Sequence, residues 1–577
     1  LPGLKSRIVC TKQWRQSPGA GANLEETSIP PLNAVLQVMS VFMPTENETG
    51  VGAPGPGELP FKSPLFGLLQ ESLAGGHKDR EFLYFEGKSY SFAQVHELAL
   101  RLASLLAREG VSRGERVAVY LYNSPEFVVS LLALNYLGAV VVPVNPLLKK
   151  DEISHIVHDA SAFALLTESH LLAHVAPETI DSLHFHLVFN RDTSVETAVE
   201  NASNLPAGSI RINVAALEEL DGALPRPSLA LSRADDAALI VYTSGTTGKP
   251  KGAVLSFGNV AYTVSTYPTR FHLLETDRLL GILPLCHLYG LLVVLAGALR
   301  AGASITLMRQ FDADKAAQLL QERRITVLSA VPTMHQFILL SLDKLGISLS
   351  DLRLITTGGA AISLELLKQV EETFSVPVLE GYALTETSVI ATLNPVDKRK
   401  AGSVGPGFDL LTIMIQDENG APLSPGKTNV GEVCIAGPCV MSGYWQNPEA
   451  TAAAIVNGFL RTGDLGYLDE DGYLYIVGRS KELIVRGGMN IYPREVENVI
   501  SQLPQVAEVA VFGIPDRFMG ERVKACIVLK PNLSLTAEQV QSYCGEHLAD
   551  YKMPRTIDFV ASLPRNSTGK VLKRLLS

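Results

Sequence analysis

The sequence predicts an α/β protein: a large N-terminal domain of parallel α/β sheets, a β-rich subdomain within it, and a small α+β domain at the C-terminus. Three observations carry this. Short β-type runs alternate with helix-period segments from about residue 82 to residue 390, the pattern of βαβ units and a parallel sheet. After about Gly402 the strands shorten and Gly-Asp, Asp-Gly and Asn-Gly turns multiply. The length, 577 residues, suits about three or four folding units with more than one core.

The elements follow in chain order. Residues 1–58 read as a disordered leader or an over-extended start, with Met43 as an alternative start and residues 50–57 as a Gly/Pro linker. Lys5, Arg7, Lys12 and Arg15 precede a weakly apolar stretch, the outline of a targeting peptide, but Asn33 and Gln37 interrupt it. Residues 82–85 and 88–90 flank Glu86-Gly87, a hairpin signal. Ser91 and Gln94 form a capping-box pattern ahead of an amphipathic helix that ends near Gly110. Strands at 117–121 and 139–142 alternate with helices from about Pro125 and over 150–159. The same alternation returns from Ala237 to Ile390. Strands at 411–416, 431–436, 472–477 and 482–485 make the β-rich part, and 495–501, 506–512 and 523–530 make the C-terminal α+β unit. The expected division is 59–479 for the N-terminal domain, with its β-rich subdomain at about 402–479, and 480–577 for the C-terminal domain.

Composition narrows the function. Hydrophobic residues are 46% and charged residues 19%, a globular balance. The net charge is −10 and no long basic run occurs, which argues against nucleic acid as the main partner. The six cysteines form no CxxC pair and no zinc spacing. Cys434 and Cys439 read as buried thiols of a reducing cytoplasm rather than as a redox pair, so a cytoplasmic location is expected. The apolar stretch 288–299 is shorter than the about 20 residues a membrane span needs and reads as a buried helix.

One loop carries chemistry. A buried strand from Ala238 to Tyr242 feeds Thr243, Ser244, Gly245, Thr246, Thr247, Gly248 and Lys249. Four hydroxyls, two glycines that free backbone amides to turn toward an anion, and the charges of Lys249 and Lys251 suit the β- and γ-phosphates of a nucleotide. A Walker A loop needs four residues between its glycines; only Thr246 and Thr247 separate Gly245 from Gly248.

The run from Ser244 to Gly252 resembles the signature loop of the adenylate-forming superfamily, which includes acyl-CoA synthetases, adenylation domains and firefly-type luciferases, with fatty acyl-CoA synthetases the nearest likeness. The resemblance continues through Gly381-Tyr-Ala-Leu-Thr-Glu386, Arg461-Thr-Gly-Asp464, Gly478-Arg-Ser-Lys481 and Asn566-Ser-Thr-Gly-Lys570. It implies ATP, Mg²⁺ and coenzyme A as reactants and cofactors. It implies that Glu386 binds the metal, Thr385 donates to the α-phosphate, Tyr382 after Gly381 stacks on adenine, Asp464 accepts from the ribose hydroxyls and Arg479 binds ribose or phosphate. Gly359 and Ala360 join the cofactor-binding positions, and Lys570 bridges the attacking carboxylate and the α-phosphate. It further implies a mobile C-terminal lid that swings about Lys481, withdrawing Lys570 and bringing in a loop whose Gly487 and Gly488 admit the pantetheine arm. Each residue alone has a plainer reading: Gly-Asp as a turn, Tyr382 as core, Lys570 as a solvated charge and Gly487-Gly488 as a hairpin turn.

The acid is less defined. Leu283-Pro-Leu-Cys-His-Leu-Tyr-Gly290 resembles the acyl-site motif, which places His287 beside the carboxylate. The motif lacks the aspartate that holds an amino group, and the apolar stretch after it suits a fatty tail, with walls from 329–333 and 357–361. Burying each methylene is worth about 0.8 kcal/mol. The expected activity is therefore that of a medium- to long-chain fatty acid–CoA ligase. A coumarate-type aryl-acid ligase and an acyl-AMP ligase loading a carrier protein are the alternatives, and an inactive binding protein or a luciferase-like oxygenase stands behind them. Relatives often carry His-Arg where this chain has Phe257-Gly258, a departure near the acyl site. Peripheral membrane contact and a homodimer are left open.

Overall fold

The structure, a computed structural model, describes residues 64–190, 210–214, 217–220, 222–243, 250–487, 489–565 and 571–576. The expected leader, residues 1–58, lies outside them.

Two eight-stranded sheets dominate the described residues. The first runs Thr392–Leu393, Val378–Tyr382, Leu354–Thr357, Val327–Ala330, Arg278–Gly281, Ser304–Leu307, Glu81–Phe85, Lys88–Ser91. Its six central strands are parallel and its two edges antiparallel. The second runs Gly443–Tyr444, Lys251–Ser256, Ala237–Thr243, Val140–Pro143, Arg116–Tyr120, Ala164–Glu168, Phe185–Phe189, Ile210–Val214, parallel from Ala237–Thr243 onward.

Strand alternation sorts the cores. Val117, Val119, Leu279 and Ile305 point into a shared central layer, where the helices Pro64–Ser72, Phe92–Arg108, Pro125–Tyr136 and Phe257–Phe271 lie between the sheets. The alternate residues Leu280, Leu328 and Ile355 face an outer helical layer on one side, and Ala118 and Tyr120 face one on the other. Both faces of each sheet are thus covered, as parallel sheets require.

Local signals read from sequence recur. Glu81–Phe85 pairs antiparallel with Lys88–Ser91, and the Ser91/Gln94 capping box is formed on the helix Phe92–Arg108. The helix Lys150–Asp159 has its expected bounds. The apolar stretch expected as a helix over 288–299 instead starts as wide π turns at Tyr289–Leu295 and continues as α-helix over Ala296–Ala301. Gly290 sits where a Cβ would come within 2.6 Å of the Pro284 carbonyl oxygen, so the helix starts pressed against its own incoming loop. Among the described residues no helix is long and apolar enough to cross a membrane.

The β-rich part is a five-stranded antiparallel sheet: Thr412–Gln416, Gly431–Ala436, Phe459–Leu468 and Ile455–Val456 in order, with Leu474–Arg479 also on Phe459–Leu468. The strand expected at 482–485 does not belong to it. It forms as Ile484–Arg486 and pairs with Met489–Ile491 and, through Arg486, with Gly520 of the C-terminal sheet. That sheet is built on the long hairpin Val506–Asp516/Gly520–Leu529 and carries the helices Pro493–Ile500 and Ala537–His547 on a core of its own. The described cysteines, Cys286, Cys434, Cys439, Cys526 and Cys544, are free thiols and buried.

Candidate functional site

In open α/β sheets, ligands bind outside the carboxyl ends of the strands. In the first sheet those ends release four segments side by side: the turn bearing His287 after Arg278–Gly281, Val331 after Val327–Ala330, the loop Gly358 to Ala361 after Leu354–Thr357, and Tyr382 to Glu386 at the end of Val378–Tyr382. In the second sheet the strand Ala237–Thr243 ends where the loop expected from sequence to bind phosphate begins. Ser244, Gly245, Thr246, Thr247, Gly248 and Lys249 lie outside the described residues, as do Gly488 and Lys570. Thr243 ends its strand with Oγ1 donating to the Lys251 carbonyl at 3.4 Å. On the same strand, Tyr242 donates to Asp159 at 2.6 Å.

Three predicted residues from distant segments touch. The Tyr382 hydroxyl donates to Asp464 Oδ2 at 2.6 Å, and Asp464 Oδ1 lies 3.0 Å from Arg479 Nε. Asp464 and Arg479 are directly opposed across neighbouring antiparallel strands, so the pair is fixed by register. Asp464 is 4% exposed. Burial first, and the Asp464 charge second, push the Tyr382 phenol far up, so it stays a donor. An acceptor carboxylate between a phenol and a guanidinium, at the rim of the sheet, suits vicinal hydroxyls.

Glu386 sits in the short turn Thr385–Thr387. The next two residues, Ser388 and Val389, are both left-handed, with φ of 53° and 62°. For a β-branched valine this is a strained conformation, held in place by its surroundings. Here Val389 N donates to the Leu384 carbonyl at 3.0 Å, Tyr267 donates to the Val389 carbonyl at 2.7 Å, and Thr263 to the Ser388 carbonyl at 3.2 Å. Glu386 Oε1 accepts from Tyr444 at 2.9 Å, and the Lys251 ammonium lies 4.4 Å from the centre of the same ring. Tyr444 thus links the edge of one sheet to the nucleotide motif of the other. Among the described residues no cluster of three His, Cys, Asp or Glu forms. The donor set at Glu386 is one carboxylate, which fits a magnesium ion that takes its remaining oxygens from phosphate and water.

The segment 283–290, expected to be the acyl motif, is pinned by an asparagine. Asn123 donates to the carbonyls of Leu283 at 2.9 Å and Met308 at 3.1 Å, and accepts from Leu285 N at 2.7 Å. His287, half-buried, faces Asn145 from the second sheet, Nε2 to Nδ2 at 3.2 Å. Burial lowers its ring pKa to about 4, so it is neutral at pH 7. Around this edge Tyr289, Val331, Met334, Ala383 and Leu384 are partly buried apolar residues packed on the central core. Gly359 is left-handed, φ 76°, and a Cβ there would meet Val331 at 3.4 Å; Gly359 and Ala360 are exposed on the rim. Gly381 packs on Thr392 and Leu393 of the edge strand.

Gly487, φ 58°, turns the tight hairpin of the C-terminal sheet, its N–H donating to the Met519 carbonyl at 2.7 Å. The structure thus brings Tyr382, Asp464 and Arg479 into contact, while Gly487 bonds to Met519 in the neighbouring long hairpin of the C-terminal sheet. Between the two bodies, Arg494 donates to the Ile476 carbonyl at 2.9 Å and lies 3.5 Å from Glu380, two residues before Tyr382.

Asn123, Asn145, Tyr444, Glu380 and Arg494 were not singled out from sequence. Asn-Ser-Pro and Asn-Pro at 123–125 and 145–146 are turn signals that could have drawn attention to the two asparagines.

The chain belongs to the AMP-binding enzyme family. The family's profile matches residues 70–445, and that of the AMP-binding enzyme C-terminal domain matches residues 495–570. It is 37% identical over 503 residues to an indoleacetate–CoA ligase of Aromatoleum aromaticum, spanning 87% of this chain and 95% of the relative. It is 36% identical over 493 residues to the long-chain-fatty-acid–CoA ligase FadD13 of Mycobacterium tuberculosis, spanning 84% and 92%. Among solved structures it resembles the anthranilate CoA ligase AuaEII in complex with anthranoyl-AMP, with a TM-score of 0.81 at 27% identity, covering 90% of this chain and 97% of that one. The expected superfamily and fold hold, and the chain is an acid–thiol ligase of the acyl-CoA synthetase type.

Proposed function

We propose that the protein ligates an apolar carboxylic acid, a medium- to long-chain fatty acid, to coenzyme A with ATP and Mg²⁺. The observation that carries the reading is the apolar edge at Tyr289, Val331, Met334, Ala383 and Leu384 beside the Tyr382–Asp464–Arg479 contact: an apolar wall next to a polar acceptor group. One observation favours an aryl acid as the second reading. On the same wall Tyr289 meets Thr356 Oγ1 at 2.8 Å, and Thr356 donates to Ser329 Oγ at 2.8 Å, a hydroxyl strip that suits a polar ring better than a plain alkyl chain.

In the first step the acid's carboxylate attacks the α-phosphorus and pyrophosphate leaves. Asp464 and Arg479 hold the ribose and Tyr382 the adenine, Thr385 donates to the α-phosphate, and Lys570 spreads its charge over the attacking and α-phosphate oxygens. Glu386 would hold the metal, which neutralises phosphate charge when bound. In the second step the coenzyme A thiol attacks the acyl carbonyl and AMP leaves; the C-terminal domain, residues 480–577, turns about Lys481 to bring Gly487 and Gly488 to the pantetheine.

The test is pyrophosphate release with saturated acids and cinnamates, with and without coenzyme A. Pyrophosphate that needs ATP, and thioester only with coenzyme A, is expected; no thioester with any acid overturns the reading. Lys570→Ala should lose about 10²–10³-fold in adenylation yet convert supplied acyl-AMP to thioester. Equal loss of both steps would refute the turning domain.

A further inference from the structure

The hydrogen bonds around Asn145 constrain where the proton of the His287 ring can sit. Asn145 Nδ2 faces His287 Nε2 at 3.2 Å. The other end of that amide is committed, because Oδ1 accepts the Leu147 backbone N–H at 2.9 Å. Only the oxygen of an amide accepts, so the nitrogen must be the end turned to the ring. That nitrogen only donates, so Nε2 accepts and carries no hydrogen. The proton of the neutral ring then sits on Nδ1, which has no hydrogen-bond partner among the described residues.

We infer that Asn145 is a positioning residue for the first half-reaction: it fixes His287 as the uncharged Nδ1–H tautomer and so presents one neutral donor to the carboxylate of the bound acid. This rests on His287 standing beside that carboxylate. A neutral donor orients the carboxylate without pairing its charge, leaving its oxygen nucleophilic for the α-phosphorus. A cationic ring would bind the ground state more tightly and gain nothing in the transition state. Protonating Nε2 would set its hydrogen against those of Nδ2, a second barrier to charge beside burial. Among the described residues, the segments flanking the ring add no charge of their own. Cys286 and Tyr289 on the same turn are a thiol and a phenol both pushed up to about 12 by burial, residues 145–148 carry no ionisable side chain, and burial is the single cause of the low ring pKa.

The experiment uses the full chain labelled with ¹⁵N-histidine, with the His287 resonances assigned by their loss in His287→Gln. At pH 7 the spectrum should show His287 with protonated Nδ1 and bare Nε2; the opposite tautomer or the cation overturns the inference. Asn145→Asp keeps the shape and the acceptor for Leu147, and turns an acceptor toward Nε2. A new ionisation within about pH 6–8 should then enter both the His287 titration and kcat/KM for the acid; its absence from the titration refutes the tautomer argument. Asn145→Ala should lower kcat/KM for the acid by about 10-fold or more, with KM for ATP changed less than about twofold. Equal losses toward acid and ATP would make Asn145 merely structural. A wild-type chain that releases no pyrophosphate with any acid removes the ligase reading instead, and the tautomer spectrum still decides what Asn145 does to the ring.

Discussion

Asn123 offers the sharpest test of how the acyl motif is held. It is 4% exposed and joins three backbone groups that are otherwise apart: the Leu283 carbonyl, the Met308 carbonyl and the Leu285 N–H. Asn123→Ala removes all three bonds. At about 0.5–1.5 kcal/mol net for each, the loss is about 1.5–4.5 kcal/mol. A water filling the vacated amide space would recover part of it, which places the expectation near about 3 kcal/mol. Asn123→Asp discriminates further. Its oxygens still accept from Leu285, but the two carbonyls now face a carboxylate instead of an NH₂ group. Buried and unpaired, that carboxylate has its folded pKa raised, so the penalty is largest above that pKa and shrinks as falling pH protonates it. The assay is urea unfolding of the full chain followed by far-UV circular dichroism, at pH 5 and pH 7.5, with KM for the acid measured in parallel. Asp should be worse than Ala at pH 7.5 and should approach it at pH 5. A loss under about 1 kcal/mol in both variants would refute the claim that Asn123 anchors the loop.

Two further outcomes are expected. His287 and His335 are both held at about 4 by burial, against an ordinary 6.5; the unfolded chain binds more protons between about pH 4 and 6.5, so stability falls as pH drops through that window, by up to about 3 kcal/mol for fully buried His335 and less for half-exposed His287. His335→Gln should flatten that slope in unfolding measurements, and an unchanged slope would exclude His335 as its source. Glu380, 4% exposed, has its carboxyl pushed up by burial against the opposing pull of Arg494. Arg494→Met should therefore cost about 3–5 kcal/mol and Arg494→Met with Glu380→Gln markedly less, because the double variant leaves no unpaired buried charge; additive losses in unfolding would deny the pairing.

What could be read from sequence was local. The Ser91/Gln94 capping box lies within three residues, and the 81–91 hairpin and the helix Lys150–Asp159 depend on near neighbours and periodicity. The strand at 484–486 was placed in the wrong sheet because its deciding partner, Gly520, is far along the chain, while the plausible neighbours at 474–479 are close. Asn123, Asn145 and Tyr444 escaped for the same reason. Their partners stand 160, 142 and 58 residues away, and a polar residue near a turn looks identical whether it bonds to solvent or to another sheet. The strained Ser388 and Val389 escaped because neither is a glycine, the residue that ordinarily marks a left-handed backbone.

These long-range contacts share one property that bears on function. Three predicted residues, His287, Glu386 and Tyr382, each lie on one sheet with an orienting partner from another. Asn145, on the second sheet, holds His287 on the first; Tyr444, paired to Ala253 of the second, holds Glu386 on the first; Asp464, on the β-rich sheet, holds Tyr382. The strands themselves are rigidly laddered, so the geometry of the site is set by how the three sheets sit against one another through the central core. A cavity-forming substitution in that core, such as Leu102→Ala on the helix Phe92–Arg108, removes no group at the site and leaves every motif intact. It should nevertheless disturb KM and kcat together, since the orienting bonds near 3 Å at His287 and Glu386 lengthen when the sheets shift by a fraction of an ångström. The same substitution in the outer layer, Leu328→Ala, should cost comparable stability, about 2–5 kcal/mol, while sparing catalysis. If both variants impaired activity alike at equal stability, the relative placement of the sheets would not be what orders the site.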